Sequence, residues 1–209
     1  MKIHTLILSA SLGLAVFGSA QAATLATSYA SDNARRGAMF DITTVNPITI
    51  DSFDVNLLSD VSSMPMFVYY KTGTYVGFGG DSAAWTLLGS ETVTSAGSNL
   101  PTPLAIGGLS LAAGTLTGLF VTTDGSVSGS LLYYNGNTPV GNSDLTLSFG
   151  YGTAVPFDGN FIVDRTWSGT IHYTVDSVPE PGQWAMMAVT GLGIAGYATR
   201  RIRTKANLV

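Results

Sequence analysis

From residue 23 to 178, apolar and polar side chains alternate with a period of two. No stretch sustains the 3.6-residue period of a helix. Ile48, Ile50, Phe53, Val55 and Leu57 share one face, and Thr49, Asp51, Asp54 and Asn56 the other. The phase slips near Ser52, which predicts a β-bulge. Phe67-Val68-Tyr69-Tyr70, residues 85–88, Thr92-Val93-Thr94 and Leu145-Thr146-Leu147 predict further strands. Residues 115–123, with Leu116, Leu119, Phe120 and Val121, predict a strand through the interior. The run 167–175 sets Trp167, Gly169, Ile171 and Tyr173 against Ser168, Thr170, His172 and Thr174. Turn formers lie between these runs: Lys71-Thr72-Gly73, Phe78-Gly79-Gly80-Asp81, Ala96-Gly97-Ser98-Asn99, Asp124-Gly125, Asn135-Gly136-Asn137 and Phe157-Asp158-Gly159-Asn160. Short strands punctuated this way predict an all-β fold, a single antiparallel β-sandwich or jelly-roll-like domain over residues 23–178.

The two ends break the pattern. Lys2, an apolar run over 6–17 and the small residues Ser19-Ala20-Gln21-Ala22 have the layout of a secretory signal peptide over 1–22, cut after Ala22. At the other end Val178-Pro179-Glu180-Pro181 precedes an apolar run over 184–199, then Arg200, Arg201, Arg203 and Lys205. Sixteen helical residues rise about 24 Å, short of the about 30 Å hydrocarbon core. Gly182 and Gln183 can extend the segment and arginines can snorkel, so the run suits a temporary membrane stop. The basic tail belongs in the cytoplasm. Within this run Gly191-Leu192-Gly193-Ile194-Ala195-Gly196 matches GxGxxG, but no strand precedes it and no βαβ unit can follow. Small residues that let membrane helices pack closely are the better reading, and no cofactor is implied.

Pro-Glu-Pro at 179–181, an apolar helix opening near Trp184 and an arginine cluster resemble the PEP-CTERM sorting signal of Gram-negative bacteria. The resemblance covers 179–209. It implies recognition by exosortase, a membrane-embedded cysteine transpeptidase-like enzyme. It also implies transient anchoring in the inner membrane, loss of the helix, and delivery to the cell surface or the exopolysaccharide (biofilm) matrix. The sorting residues it marks are Val178, Pro179, Glu180, Pro181, Arg200 and Arg201. The tail departs from the family, since eight residues follow Arg201. Met39-Phe40-Asp41-Ile42, residues 48–57, 69–77 and 165–173 also resemble middle domains of PEP-CTERM proteins, which bears on the fold and implies no activity.

Composition fits this division. Mean hydropathy is +0.31 and only 11% of residues are charged, yet 19 of the 25 glycines fall in the middle region. There Arg35, Arg36, Lys71 and Arg165 face twelve acids, a balance of −8 that excludes a nucleic-acid role. With no cysteine, disulfides and thiolate metal sites are excluded.

Few residues point to chemistry. His172 is the one histidine left after signal removal, and no G-x-S-x-G elbow accompanies it, so a strand residue is the simpler reading. Asp51 and Asp54 share a face if the bulge is real, and Glu91 is the middle's sole glutamate, but nothing marks a catalytic pair. The chain is expected not to be an enzyme, with a hydrolase the least favoured alternative. Asp124, Asp158, Asn160 and Asp164 are loop oxygens suited to calcium, though no D-x-D-x-D-G series appears. Tyr69, Tyr70, Tyr75, Tyr133 and Tyr134 are the aromatic candidates for stacking on extracellular polysaccharide, with one of each adjacent pair expected to face outward. The expectation is a structural or interaction protein of the surface or matrix, with a carbohydrate-binding module as the alternative.

Overall fold

The computed structural model describes residues 20–31, 33–125 and 130–176. They form one compact unit, Ala20–Asp176. The expected signal peptide, except for its last three residues, and the whole expected sorting signal lie outside the described residues. Among the described residues no helix is long and apolar enough to cross a membrane, and the one helical element is a 3-10 turn at Ser82–Ala84.

The unit is all-β. Its strands are β1 (Gln21–Ala26), β2 (Asn33–Arg35), β3 (Gly37–Thr44), β4 (Ile48–Asn56), β5 (Met64–Thr72), β6 (Thr86–Val93) and β7 (Pro101–Leu104). They continue as β8 (Leu109–Leu111), β9 (Leu116–Thr123), β10 (Leu131–Asn135), β11 (Val140–Gly141), β12 (Leu145–Thr153), β13 (Phe161–Trp167) and β14 (Gly169–Val175). One sheet runs β1-β14-β4-β7, with β8 also on β4. The other runs β2-β10-β13-β12-β3-β9-β5-β6, with β11 on β12. All these strand pairs are antiparallel.

The sheets form a β-sandwich because the alternating apolar residues need a common interior. Ile48, Ile50, Phe53 and Val55 from the smaller sheet meet Phe40, Ile42, Met66, Val68, Leu119 and Val121 from the larger one. Trp167 joins them, stacked on Phe40 (4.9 Å, 17°) and edge-on to Phe53 (6.3 Å, 80°).

The phase slip on β4 is a bulge. Ser52 pairs with His172 and Ile50 with Tyr173, so Asp51 is the extra residue. Gly107 packs against it so tightly that any Cβ there would overlap the Asp51 carbonyl, and Gly108 N donates to Ile50 O at 2.7 Å.

Three expectations need correcting. The two strands expected at 85–88 and 92–94 are one strand, β6. Gly89 and Ser90 stay paired with Val68 and Phe67, and a register shift at Leu88 absorbs the mismatch. Conversely, the strand expected over 167–175 breaks at Ser168, where the chain crosses from one sheet to the other. Gly169 makes that corner, since a Cβ there would strike both the Trp167 ring and the Asp54 carbonyl. Finally, Asn56 is not on the solvent side: it is 0% exposed.

Candidate functional site

The sorting residues Val178, Pro179, Glu180, Pro181, Arg200 and Arg201 lie outside the described residues. The candidate tyrosines do not form one surface. Tyr70 points inward, against the inter-sheet core. Tyr133 is buried with the Arg165 guanidinium 5.7 Å from its ring centre, and Tyr134 beside it is half-buried. Tyr69 and Tyr75 share the outer face of the larger sheet, in a second cluster with Met39, Trp85, Phe120 and Phe157.

Tyr75, a candidate for stacking on polysaccharide, is only 5% exposed. The cause is Asp41, which faces outward from β3. Its carboxylate accepts from Thr74 Oγ1 at 2.6 Å and from Tyr75 N at 2.9 Å, drawing the 73–76 turn down onto the sheet. Lys71 reinforces the turn, donating to Thr74 O at 2.7 Å with its ammonium 4.1 Å from the Phe78 ring centre. Burial pushes the Asp41 pKa up, partly opposed by the Thr74 and Tyr75 hydrogen bonds and by Lys71. Burial, with the nearby Asp41 charge, pushes the Tyr75 phenol up to about 12. Gly150, at a bulge on β12, leaves the space that the Tyr75 hydroxyl occupies.

Phe157 completes the aromatic layer. Its ring stands edge-on to Tyr69 and to Phe120, both at 5.1 Å. Its backbone has φ +60°, a left-handed conformation disfavoured for a bulky side chain. Phe67 and Tyr69, two apart on β5, lie nearly parallel at 6.4 Å and keep part of their rings open to solvent.

The outer face of the smaller sheet is polar. His172 Nε2 bonds Asp54 Oδ2 at 2.8 Å, with the side chains 37% and 18% exposed. The bulge brings Asp51 to the same face, as expected, but Asp51 accepts from Thr174 Oγ1 at 2.8 Å instead of pairing with Asp54. Tyr29 with Thr170 and Thr49 with Ser110 continue the ladder, each at 3.0 Å. Among the described residues His172 is hydrogen-bonded to Asp54 and not to a serine, whereas a triad base must hold its nucleophile.

The calcium candidates engage neighbours separately. Asp158 accepts from Asn160 N at 2.9 Å and Asn160 Nδ2 at 3.1 Å, an Asx-turn. Asp164, on β13, accepts from Asn137 Nδ2 at 2.6 Å. Asp124 follows β9 at the start of the Gly125 turn. Among the described residues no three histidine or carboxylate groups converge as a metal requires.

A cavity of about 310 Å³ opens at one end of the sandwich, between Ser31, Asn33 and Ala34 on one side and the 95–100 loop on the other. Ser31, Asn33, Ser98 and Asn99 line it, with Leu58 and Leu132. Asn56 organises this end from below. Its Nδ2 donates to Ser168 Oγ (2.9 Å) and Tyr29 O (3.1 Å), and its Oδ1 accepts from Asn99 N (2.8 Å). Asn99 is held at φ +64°, and its Oδ1 accepts from Ser31 N at 3.1 Å. Ser59 and Ser98 brace the loop reciprocally: Ser98 Oγ accepts from Ser59 N (3.0 Å) and Ser59 Oγ (2.9 Å), and Ser98 N donates to Ser59 Oγ (2.9 Å). Sequence reasoning missed this site because it read Ala96-Gly97-Ser98-Asn99 as turn chemistry alone. An asparagine ending an otherwise regular strand pattern was the available signal.

No protein-family model matches this chain, and no curated protein matches it. Among solved structures, the cysteine protease and lectin-like domains of Cwp84, a surface layer associated protein of Clostridium difficile, align over 74% of this chain and 36% of that one, at 13% identity and a TM-score of 0.44. The infectious bursal disease virus VP2 subviral particle aligns over 90% and 53%, at 10% identity and a TM-score of 0.25. The chain thus spans between about a third and about half of the length of these solved chains, and neither likeness carries an argument about function.

Proposed function

We propose that this is an exported, non-enzymatic protein of the bacterial cell surface or exopolysaccharide matrix, routed through a C-terminal PEP-CTERM signal. The observation that carries the reading is the order at the C-terminus: Val178-Pro179-Glu180-Pro181, an apolar run over 184–199, then Arg200-Arg201. The signal peptide starts export, the 184–199 segment stops in the inner membrane, and an exosortase-type enzyme processes the chain near Pro-Glu-Pro. The exported part is a jelly-roll-like single domain. Its own ends suit tethering at one point: β1 and β14 are paired, with Ala23, the first residue after the expected cut, opposite Tyr173, so the mature start and the chain leading to the sorting signal lie at one end of one strand pair.

The test compares the full chain with one ending at Val178, expressed in a host that carries an exosortase. Intact mass should show loss of the C-terminal segment from the full chain, and the truncated chain should leave the surface fraction. The same location and mature mass for both would refute the reading.

The second reading is a carbohydrate-binding module. The partly open, near-parallel Phe67 and Tyr69 rings favour it, because ring faces stack on sugar C–H surfaces.

A further inference from the structure

We propose that the free edge of β1 is a self-association surface. There β1 pairs antiparallel with β1 of a second copy of this chain, in a two-fold register centred on Leu25, so that Thr24 of each copy faces Ala26 of the other. The inference stands apart from the sorting and carbohydrate-binding readings, because Thr24, Leu25 and Ala26 are present with or without a cut after Ala22.

An edge strand carries a row of open backbone groups and is a template for another strand unless something guards it. Most edges of this domain are guarded or very short. β7 carries the exposed prolines Pro101 and Pro103. β6 carries Glu91, whose Oε2 accepts from Ala105 N at 2.5 Å, and its register shifts at Leu88. β2, β8 and β11 have three, three and two residues. β1 differs from all of them. It has six residues, Gln21–Ala26, with no charge, proline or glycine, and its register on β14 is unbroken.

The ladder with β14 fixes which backbone groups of β1 face outward. Thr27 N donates to Gly169 O at 2.9 Å, and Gly169 N donates to Thr27 Oγ1 at 2.8 Å, so Thr27 stands at a hydrogen-bonded position. Such positions alternate along an antiparallel pair. Leu25 and Ala23 therefore bond β14, opposite Ile171 and Tyr173, while Thr24 and Ala26 turn their N–H and C=O groups to the free side. Among the described residues no strand pairs with that side.

A second copy satisfies these groups reciprocally. In the register centred on Leu25, Thr24 exchanges two backbone bonds with the other copy's Ala26, and Ala26 exchanges two with the other copy's Thr24. The side chains of Thr24 and Ala26 are exposed and small, so they allow the about 4.8 Å spacing of a ladder. Charge selects the same partner. The domain's balance is −8, yet residues 21–31 carry no charge, so two acidic domains meet there with least repulsion and a basic partner would be steered elsewhere. The contact is isologous and closes at the dimer. It is also short, which places it in the weak, concentration-dependent class.

Sedimentation equilibrium of the full chain in density-matched detergent, at concentrations up to about 1 mM, tests the proposal. A monomer–dimer equilibrium is the expected result. Thr24→Glu with Ala26→Glu sets like charges directly opposite each other and should weaken the dimer at least tenfold. Thr24→Lys with Ala26→Glu sets opposite charges at the same points and should restore it. Ala26→Pro removes an outward N–H without taking a bond from β14, so it should act like the double glutamate variant. Thermal melting checks that each variant is folded, and the charge variants, at exposed sites, decide the matter if the proline disturbs the strand. A monomer at every concentration would overturn the proposal. So would a dimer equally strong in all variants, as one held by the 184–199 segment would be, or assembly that continues past two copies.

Discussion

Replacing Asn56 by alanine probes the hub that builds the loop end. The side chain is 0% exposed and makes three well-formed hydrogen bonds, at 2.8, 2.9 and 3.1 Å. Each is worth about 1 kcal/mol net, and the vacated space adds a further fraction, so the loss should be about 3–4 kcal/mol. A domain of this size loses about 2–4 °C of melting temperature per kcal/mol, so the transition should fall by roughly 6–16 °C. The assay is thermal unfolding of the full chain followed by far-UV circular dichroism. Ser110→Ala is the control: it removes an exposed bond to Thr49 and should stay within about 0.5 kcal/mol of the parent. Asn56→Asp sharpens the test. It keeps the acceptor for Asn99 N but turns a carboxylate oxygen toward Tyr29 O, so at pH 7 it should be less stable than the alanine variant. A melting temperature for Asn56→Ala within 2 °C of the control would refute the hub.

Other perturbations probe other parts of the domain. Phe157→Ala removes two edge-on ring contacts at 5.1 Å and should destabilise the domain by about 2 kcal/mol, while Phe157→Gly should be about 1 kcal/mol more stable than Phe157→Ala because the residue has φ +60°; an Ala variant as stable as the Gly variant in urea titration would show that the backbone is unstrained. Asp41 has a raised pKa, so the folded state binds its proton more tightly than the unfolded chain does. The stability this group contributes is therefore fully present below its unfolded pKa and is lost as pH rises through its folded pKa. Asp41→Asn should remove that fall from a pH series of urea midpoints, and an unchanged slope would count against burial as the dominant influence. Calcium at millimolar concentration should shift the melting temperature by less than about 1 °C, because Asp158 and Asp164 are engaged by separate asparagines; a saturable increase abolished by Asp158→Ala would overturn this.

The sequence revealed the period-two elements best, because a sandwich strand must show its apolar residues to one side. The β4 bulge was legible for the same reason: an inserted residue flips the phase, and Asp51 is that residue. What the pattern could not show was pairing at a distance. Gly89-Ser90 looks like a break but holds its register beside Val68 and Phe67. Trp167 and Ile171 look like one face of one strand, yet they belong to strands of different sheets, β13 and β14, and both point into the same core. Local alternation is blind to a corner that keeps both sides apolar. The tyrosines show the same limit. Alternation separates Tyr69 from Tyr70 correctly, but whether an outward ring meets solvent depends on what covers it. Tyr75 is covered because Asp41, from a strand more than thirty positions away, pulls down its turn. The loop-end cavity was hidden for a related reason, since Asn56 and Asn99 meet only after β4 and the 95–100 loop are in place.

The three polar or aromatic surfaces of the domain differ in what they have left to give. On the smaller sheet the outward hydroxyls, His172 and the carboxylates bond one another across strands, so a ligand there would have to break Tyr29–Thr170, His172–Asp54 or Thr174–Asp51 before gaining a contact. Exchanging one hydrogen bond for another yields little net free energy. On the larger sheet the rings of Phe67 and Tyr69 offer stacking, but stacking alone discriminates poorly between ligands because ring faces carry no directional donors. The loop end differs from both, because Ser98 is held by Ser59 and Asn99 by Asn56. Asn56, remote from solvent, thereby fixes the geometry of a surface loop by accepting from Asn99 N.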